Sequence, residues 1–459
     1  MIKRCSLILL LSLTAFLNLS AEGLPFAHGR LRVDGGLRYL EYEDGTPFLY
    51  LGDTAWELLA RLTREEMSLY MENRKAKGFT VIQTVILPEL DSPDGKLAIG
   101  VSPLADRDSV RLNPAYLEHI DWVLQEAMRN GLFVGLLPTW GDKVDKQWGQ
   151  GPELFDEAKA RRYGRMLGER YADVPNVIWI VGGDRGGGGR NKAIWNAMAE
   201  GIKEKDKSHL MTYHPQGEHS SSFWFHDEAW LDFNMFQSGH CQTSYSIYRR
   251  LLETDRNRLP TKPVMDGEPR YEDITVNFKK EDGRFIAYDV RKTLYQSMLS
   301  GACGYTYGCN NVWQMYAPGR EPKCDARFWW YDSLDMEGCC QLKHFYQLWN
   351  RLDFRQGAPL KGMLASADGY ANDEAAFGND SCVVCYFPGG DRWRVELGGE
   401  WAGGYALQWM NPRSGEWSPV VEGRGATLQA DLPVPGNESD WVLVIAGCRD
   451  GEKSAGTSR

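Results

Sequence analysis

The 459-residue chain has no excess of positive charge, since 52 Lys and Arg residues stand against 62 Asp and Glu residues and the net charge is −10. No cluster of Lys and Arg and no basic amphipathic helix is visible. A nucleic-acid-binding protein needs a basic patch against phosphates, and a membrane-surface helix needs a basic face. The composition therefore argues against nucleic acid and against the membrane surface as partners.

The sequence also lacks the short motifs of several enzyme classes. It has no G-x-G-x-x-G or P-loop for nucleotide phosphates, no G-x-S-x-G elbow for a serine hydrolase, and no H-E-x-x-H or H-x-H for a metal. The four glycines at 186–189 match neither phosphate motif and indicate a flexible loop. Convergence of His214, His240, Asp184 and Glu268 on a metal is an alternative that no motif spacing supports. We therefore expect no metal and no cofactor.

The most apolar run lies at the amino terminus, where a basic start at 1–4 precedes apolar residues 6–19 and the small pair Ser20 and Ala21. The run is too short to span a membrane, so we predict a signal peptide at 1–21, an exported periplasmic or secreted protein, and no membrane span. Loss of Cys5 leaves nine of the ten cysteines, an odd number that allows disulfides but leaves at least one thiol over. Cys382 and Cys385 lie in a strand-like segment and are interpreted as structural cysteines.

Apolar, strand-like segments alternate with helical patterns over most of the chain. The predicted strands are 48–51, 79–87, 132–138, 177–181, 210–213, 233–236, 263–265 and 304–307. The clearest predicted helices are 63–78, 114–130, 155–171, 192–205, 244–256, 284–299 and 341–352. Eight such units with right-handed crossovers predict a (β/α)8 TIM barrel, an α/β fold, over residues 26–355. The competing doubly wound sheet would carry a glycine-rich phosphate loop, which is missing.

Beyond residue 357 the pattern changes to short alternating segments separated by Gly, Pro, Asn and Asp. These segments are 381–387, 393–397, 405–409, 426–430 and 441–446. They predict a small antiparallel β-sandwich over residues 356–449.

Two acidic residues follow predicted strands four and seven. Asp184 ends the segment NVIWIVGGD at 176–184, and Glu268 lies in TKPVMDGEPRYE at 261–272. Active sites of such barrels lie at the carboxyl ends of the strands, where strands four and seven face each other. Glycosidic cleavage needs one carboxylic acid and one carboxylate on the two sides of the scissile bond. We therefore predict Asp184 as the general acid and Glu268 as the nucleophile or base, with Asp266 supporting Glu268.

Other strand ends carry amide, imidazole and indole groups, which suit sugar hydroxyls and sugar ring faces. Asp53 is ambiguous, because it could bind a hydroxyl or cap the following helix, and we expect Trp140 and Trp148 to influence the choice of sugar. A non-catalytic carbohydrate- or matrix-binding protein on a barrel scaffold is the alternative, which acids held in salt bridges would favour. The predicted substrate contacts are Asp53, Trp56, Gln83, Trp140, His214, Gln237, His240, Tyr271 and Trp313.

Four motifs taken in order resemble one family: LGDTAWE at 51–57, GFTVIQ at 78–83, VGGD at 181–184 and GEPRYE at 267–272. Over about residues 26–355 the chain is similar to the apiosidase-like glycoside hydrolases, family 140. The remainder, about 356–449, resembles the small sandwich domain labelled collagen-binding that accompanies this barrel.

The resemblance implies a bacterial exported enzyme that cuts between an apiose branch and the galacturonan backbone of pectic rhamnogalacturonan-II, with Asp184 and Glu268 as its catalytic pair. The wider clan of such barrels has Asn-Glu where Gly183 and Asp184 stand here. The shorter acid implies a different separation of the carboxyl groups, so a retaining and an inverting outcome both stay open. The sequence leaves the oligomeric state undetermined.

Overall fold

The computed structural model describes residues 26–241, 246–352, 354–366 and 374–447. The predicted signal peptide, the helix start at 244–245 and the last sandwich residues, 448–449, lie outside these ranges. The proposed domain division at 355 and 356 stays a prediction. Within the described residues, no helix is both long and apolar enough to cross a membrane.

A small antiparallel sheet precedes the barrel and consists of β1 (Leu31–Val33), β2 (Leu40–Tyr42) and β3 (Pro47–Phe48) in that order. The ring of Phe48 contacts that of Phe133 edge-on, at 5.2 Å between centroids. Because Phe133 is the first residue of a barrel strand, this sheet packs at the amino ends of the barrel strands, away from the end where active sites lie.

The next strands build the barrel and one separate hairpin. They are β4 (Tyr50–Thr54), β5 (Val81–Val85), β6 (Leu104–Asp106), β7 (Arg111–Leu112), β8 (Phe133–Leu137), β9 (Val177–Gly182), β10 (Met211–His214), β11 (His219–Ser220), β12 (Asn234–Gln237), β13 (Val264–Asp266) and β14 (Gly304–Tyr307). The sheet order is β10-β9-β8-β5-β4-β14-β13-β12-β11, and all neighbours are parallel except β11 and β12. Strands β6 and β7 form a separate hairpin. Every residue of the eight parallel strands is buried, which is why most of their residues are apolar.

The barrel is nearly closed, and single hydrogen bonds bridge the remaining seam between β10 and β12. The backbone N–H of Asp232 donates to the carbonyl of Met211 at 2.9 Å, and the Thr212 hydroxyl donates to the carbonyl of Phe233 at 2.7 Å. The predicted barrel is confirmed.

Helices fill the connections between the strands. They are α1 (Leu58–Arg61), α2 (Arg64–Ala76), α3 (Pro114–Arg129), α4 (Glu157–Tyr171), α5 (Arg190–Lys205), α6 (Ser222–Phe225), α7 (Ser246–Tyr248), α8 (Thr254–Arg256), α9 (Ala287–Leu299), α10 (Asn310–Trp313) and α11 (Glu337–Trp349). A π-helical segment, Arg249–Glu253, joins α7 to α8. A capping box starts α2, within the predicted helix 63–78: the Thr63 side chain accepts from the N–H of Glu66, and the Glu66 carboxylate accepts from the N–H of Thr63. The helix ends at Ala76, and Gly78 follows with a φ of +84°.

The carboxyl-terminal part forms two antiparallel sheets, which confirms the predicted sandwich architecture. Their strands are β15 (Ala358–Pro359), β16 (Leu364–Ser366), β17 (Ala375–Gly378), β18 (Cys382–Phe387), β19 (Gly390–Glu396), β20 (Tyr405–Met410), β21 (Val421–Gly423), β22 (Thr427–Gly436) and β23 (Trp441–Gly447). One sheet has the order β15-β17-β18-β23-β20-β21 and the other β16-β19-β22. Cys382 and Cys385 are an odd number of positions apart on β18, so they lie on opposite faces, and no disulfide forms among the eight described cysteines.

A buried ion pair joins the sandwich to the barrel. The Arg291 guanidinium on α9 lies 2.9 Å from the Asp440 carboxylate, and both side chains are almost fully buried. Nearby, the rings of Tyr295 and Tyr386 are stacked at 4.9 Å. These contacts are buried and specific, so they fix the sandwich against the outer face of α9.

Candidate active site

A cavity of about 580 Å³ opens at the carboxyl ends of the barrel strands. Its walls bring together most of the predicted site residues, namely Trp56, Trp140, Asp184, Gln237, His240, Glu268, Tyr271 and Trp313. A second cavity of similar volume, about 550 Å³, lies against Arg256 and Lys361 and contains none of them. The chemistry therefore points to the cavity at the strand ends.

A glycine turn aims Asp184 into the cavity. Strand β9 ends at Gly182, and Gly182, Gly183 and Asp184 have φ values of +103°, +129° and +55°. A Cβ atom on Gly183 would lie 2.8 Å from the backbone nitrogen of Gly141 and 3.1 Å from the Cα of Trp140. Only glycine fits this close approach, and the turn leaves the Asp184 side chain partly exposed to the cavity.

Burial, together with the neighbouring carboxylate of Glu268, raises the pKa of Asp184 to about 7. The indole N–H of Trp148 opposes this rise, because it donates to Oδ2 of Asp184 at 3.1 Å. A large fraction of Asp184 is therefore protonated near neutral pH, as a proton donor requires.

The charge state of Glu268 differs from that of Asp184, because Glu268 is ionised. Burial alone would raise its pKa, but contacts with two imidazoles outweigh burial and lower the pKa to about 2. The Nε2 atoms of His214 and His240 lie 3.0 Å and 3.1 Å from its two carboxylate oxygens. The Asp266 carboxylate accepts the backbone N–H of Glu268 at 3.3 Å, which orients the segment from below. Glu268 is thus held as a carboxylate.

His214 connects the two acids from beneath the cavity floor. The backbone N–H of Asp184 donates to Nδ1 of His214 at 3.3 Å, and Nε2 of the same ring lies 3.0 Å from a Glu268 carboxylate oxygen. Its side chain is fully buried and does not line the cavity. The expectation that His214 contacts the substrate is corrected, because its position makes it a support for both acids.

The remaining walls combine aromatic rings with unused polar atoms. Trp56 and Trp140 pack with 5.1 Å between ring centroids, and the Trp56 N–H donates to the Tyr271 hydroxyl at 3.2 Å. Trp140 Nε1, Gln237 Oε1 and His240 Nδ1 are buried and have no hydrogen-bond partner among the described residues. Because buried polar atoms are normally paired, these atoms are available to ligand groups.

Asp53 and Gln83 do not reach the cavity, so their prediction as substrate contacts is corrected. Strand β4 extends to Thr54, which places Asp53 inside the strand, where its carboxylate accepts from Arg74 at 2.5 Å and from the Tyr70 hydroxyl. The Gln83 amide lies inside the barrel and donates to the Thr306 hydroxyl at 2.7 Å. Both side chains therefore form hydrogen bonds inside the barrel rather than in the cavity.

A metal site is not apparent at these residues. Across the described ranges, no group of three or more His, Cys, Asp or Glu side chains is arranged to hold a metal ion. His214 and His240 instead direct Nε2 at Glu268.

Comparison with known families identifies the chain. Residues 35–356 match the family model described as apiosidase-like, catalytic domain. This chain belongs to the apiosidase-like glycoside hydrolases. Residues 359–446 of the glycoside hydrolase match the model described as "Putative collagen-binding domain of a collagenase".

Two solved structures are similar over nearly the whole glycoside hydrolase. One, called "Glycoside hydrolase", is 30% identical with a TM-score of 0.85, covering 93% of this chain and 98% of that one. The other, a glycoside hydrolase family 5 protein from Bacteroides vulgatus, is 29% identical with a TM-score of 0.86, covering 95% and 98%. No curated protein matches in sequence.

Several wall residues of the glycoside hydrolase escaped the sequence prediction. Glu89 follows β5, and the same rule that selected the other strand ends could have found it. Phe278 lies in a short turn after β13 with a φ of +60°, and no motif marks it. Gln147 and Cys324 also line the cavity from loops.

Proposed function

We propose that this glycoside hydrolase is an exported bacterial enzyme that cleaves the linkage between apiose and galacturonic acid in side chains of rhamnogalacturonan-II. Asp184 acts as the general acid, and Glu268 acts as the nucleophile or base. The observation that carries the proposal is the opposite charge state of two carboxyl groups in one cavity: the pKa of Asp184 is raised to about 7 and that of Glu268 is lowered to about 2.

In the proposed reaction, the Asp184 carboxylic acid transfers its proton to the glycosidic oxygen as the bond to the anomeric carbon breaks. The Glu268 carboxylate either attacks the anomeric carbon or takes a proton from the attacking water. In the first case, the ionised Asp184 then takes a proton from the water that releases the sugar. Contacts from His214 and His240 keep Glu268 ionised in both cases.

The walls support a neutral sugar as the group bound in the cavity. Indole rings offer stacking faces, and the unpaired atoms of Trp140, Gln237 and His240 offer one donor, one acceptor and one ring nitrogen for hydroxyl groups. No Lys or Arg is among the described residues that line this cavity. Apiose is neutral, whereas a galacturonate carboxylate inside these walls would have no cation to pair with.

A binding protein without catalysis is a weaker account of the same cavity. Such a protein has no need for one protonated and one ionised acid on its walls. Glu268, moreover, contacts imidazoles rather than an Arg or Lys that would neutralise it permanently.

The proposal is tested by incubating the purified protein with rhamnogalacturonan-II and with a panel of simpler pectins, and by separating the released sugars chromatographically. We expect a released product with apiose at its reducing end from rhamnogalacturonan-II alone. Release of another neutral sugar would contradict the proposed linkage, and release from none of the glycans would contradict the proposed substrate class. Mass spectrometry of the amino-terminal peptide from periplasm and medium tests cleavage of the leader at 1–21.

A further inference from the structure

Glu89 places a carboxyl group in the cavity wall. Its segment follows β5, and the residue is only 8% exposed while lining the same cavity as Asp184. Among the described residues, none forms a hydrogen bond with its carboxyl group. Its carboxyl oxygens are not among the fully buried unpaired atoms, so they stay accessible from the cavity, where a ligand group can reach them.

The backbone that carries Glu89 is held on several sides. The carboxylate of Glu57 accepts the backbone N–H of Glu89 at 3.0 Å, and the Gln150 N–H donates to the Glu89 carbonyl at 2.9 Å. The Lys143 ammonium donates to the carbonyl of the preceding residue at 2.7 Å. Because the backbone is held in place and the carboxyl group has no hydrogen-bond partner among the described residues, the side chain is preorganised to bind a ligand.

The surroundings of Glu89 favour its uncharged form. Burial first, and then the carboxylates of Glu57, Asp184 and Asp142, raise its pKa well above the ordinary value, and the Arg185 guanidinium opposes them only in part. The nearby Cys324 thiol adds no charge, because burial raises its pKa to about 12. A neutral carboxylic acid donates through its hydroxyl and accepts through its carbonyl, which matches both roles of a sugar hydroxyl.

We propose that Glu89 recognises a hydroxyl group of the neutral sugar bound beside Asp184, as an uncharged hydrogen-bond donor, and that it is a specificity-determining residue of this site. The inference rests on the proposed function, because it requires that this cavity binds and cleaves a neutral glycoside.

Three variants test it: Glu89→Gln, Glu89→Ala, and Glu118→Gln as a matched control at an exposed position on α3. The amide keeps a donor and an acceptor, so Glu89→Gln should stay within about threefold of the wild-type kcat/KM. Glu89→Ala should lose roughly 10- to 100-fold in kcat/KM, mainly through KM, because the bound hydroxyl loses a buried partner. The control should not change.

Two outcomes would overturn the inference while wild-type activity stands. Equal kcat/KM for Glu89→Ala and the wild type would show that nothing binds this group. An equal loss of kcat/KM in Glu89→Ala and Glu89→Gln would show that the site needs a negative charge at this position rather than a hydrogen-bond donor. Absence of wild-type turnover on every glycan would instead overturn the proposed function and the inference with it.

A measurement without substrate tests the uncharged form. A carboxyl that is protonated in the folded protein and ionised in the unfolded chain makes stability fall as pH rises between the two pKa values. The Tm advantage of Glu89→Gln over the wild type should therefore grow as the pH rises above the ordinary range of a glutamate carboxyl. Glu57, Asp142, Asp184, Arg185 and Cys324 are common to both proteins, so a constant difference in Tm would overturn the uncharged assignment.

Discussion

Replacing Trp148 by Phe should extend the activity to higher pH. The indole N–H of Trp148 donates to Oδ2 of Asp184 at 3.1 Å, and this bond favours the ionised carboxylate. The Arg185 guanidinium lies over the indole ring at 4.1 Å and donates to the Trp148 carbonyl at 2.6 Å. A phenyl ring preserves the stacking surface and the backbone contact, so the change removes little besides the N–H.

The size of the effect follows from the strength of one hydrogen bond. Trp148 is 45% exposed, so its bond belongs to the ordinary range of roughly 0.5–1.5 kcal/mol rather than to that of buried charged pairs. One pKa unit corresponds to about 1.4 kcal/mol, so loss of the bond should raise the pKa of Asp184 by about half a unit to one unit. Starting from about 7, the acid would stay protonated toward about pH 8.

The assay is the pH dependence of kcat/KM for the wild type and Trp148→Phe, read at the alkaline limb. Trp122→Phe is a matched control, because Trp122 on α3 also packs against a guanidinium, that of Arg64 at 5.0 Å, but lies outside the cavity. The pKa read from the alkaline limb should rise for Trp148→Phe and should not change for Trp122→Phe. An alkaline limb that stays in place or moves downward would refute the role of Asp184 as the proton donor tuned by this bond.

Two further predictions concern the scaffold. Asp53→Asn should lower the free energy of unfolding, measured with denaturant, by roughly 3–5 kcal/mol, because it leaves the Arg74 guanidinium buried without its counter-charge. The KM should stay unchanged. A loss of stability below about 1 kcal/mol would contradict a structural ion pair. Gly183→Ala should lower both Tm and kcat, because the φ of Gly183 is +129° and the new methyl group would lie 2.8 Å from the Gly141 nitrogen. If Tm and kcat kept their wild-type values, the turn would tolerate a side chain, and the position of Asp184 would not depend on the glycine.

The barrel was predictable because its buried parallel strands appear in the sequence as short, mostly apolar segments between amphipathic helices. Strand limits were less well determined, since apolar periodicity does not mark the last paired residue. The first barrel strand was predicted at 48–51 but runs Tyr50–Thr54, and this shift of a few residues turned Asp53 from an expected strand-end group into an interior one. The error in Gln83 has a different cause, because the predicted strand, 79–87, already contained it, and the strand pattern does not show that its amide bonds to Thr306 inside the barrel.

Site residues could be predicted from the sequence where they directly follow a strand, as Asp184 and Glu268 do. The support given by His214 was not, because only the three-dimensional turn after β9 brings the Asp184 N–H to its ring. Phe278 reaches the wall from a loop whose backbone has left-handed φ values, which no periodic pattern encodes. Such contacts depend on loop geometry rather than on composition.

The central claim is that Glu268 and Asp184 form the reacting pair, and Glu268→Gln tests it most directly. Sugar release from the cleaved glycan would be followed chromatographically beside the wild type and Glu118→Gln, with thermal unfolding to verify folding. We expect a folded variant whose turnover falls by roughly three powers of ten or more, because an amide can neither attack the anomeric carbon nor activate water. Turnover within about tenfold of the wild type would contradict the assignment of Glu268 as nucleophile or base.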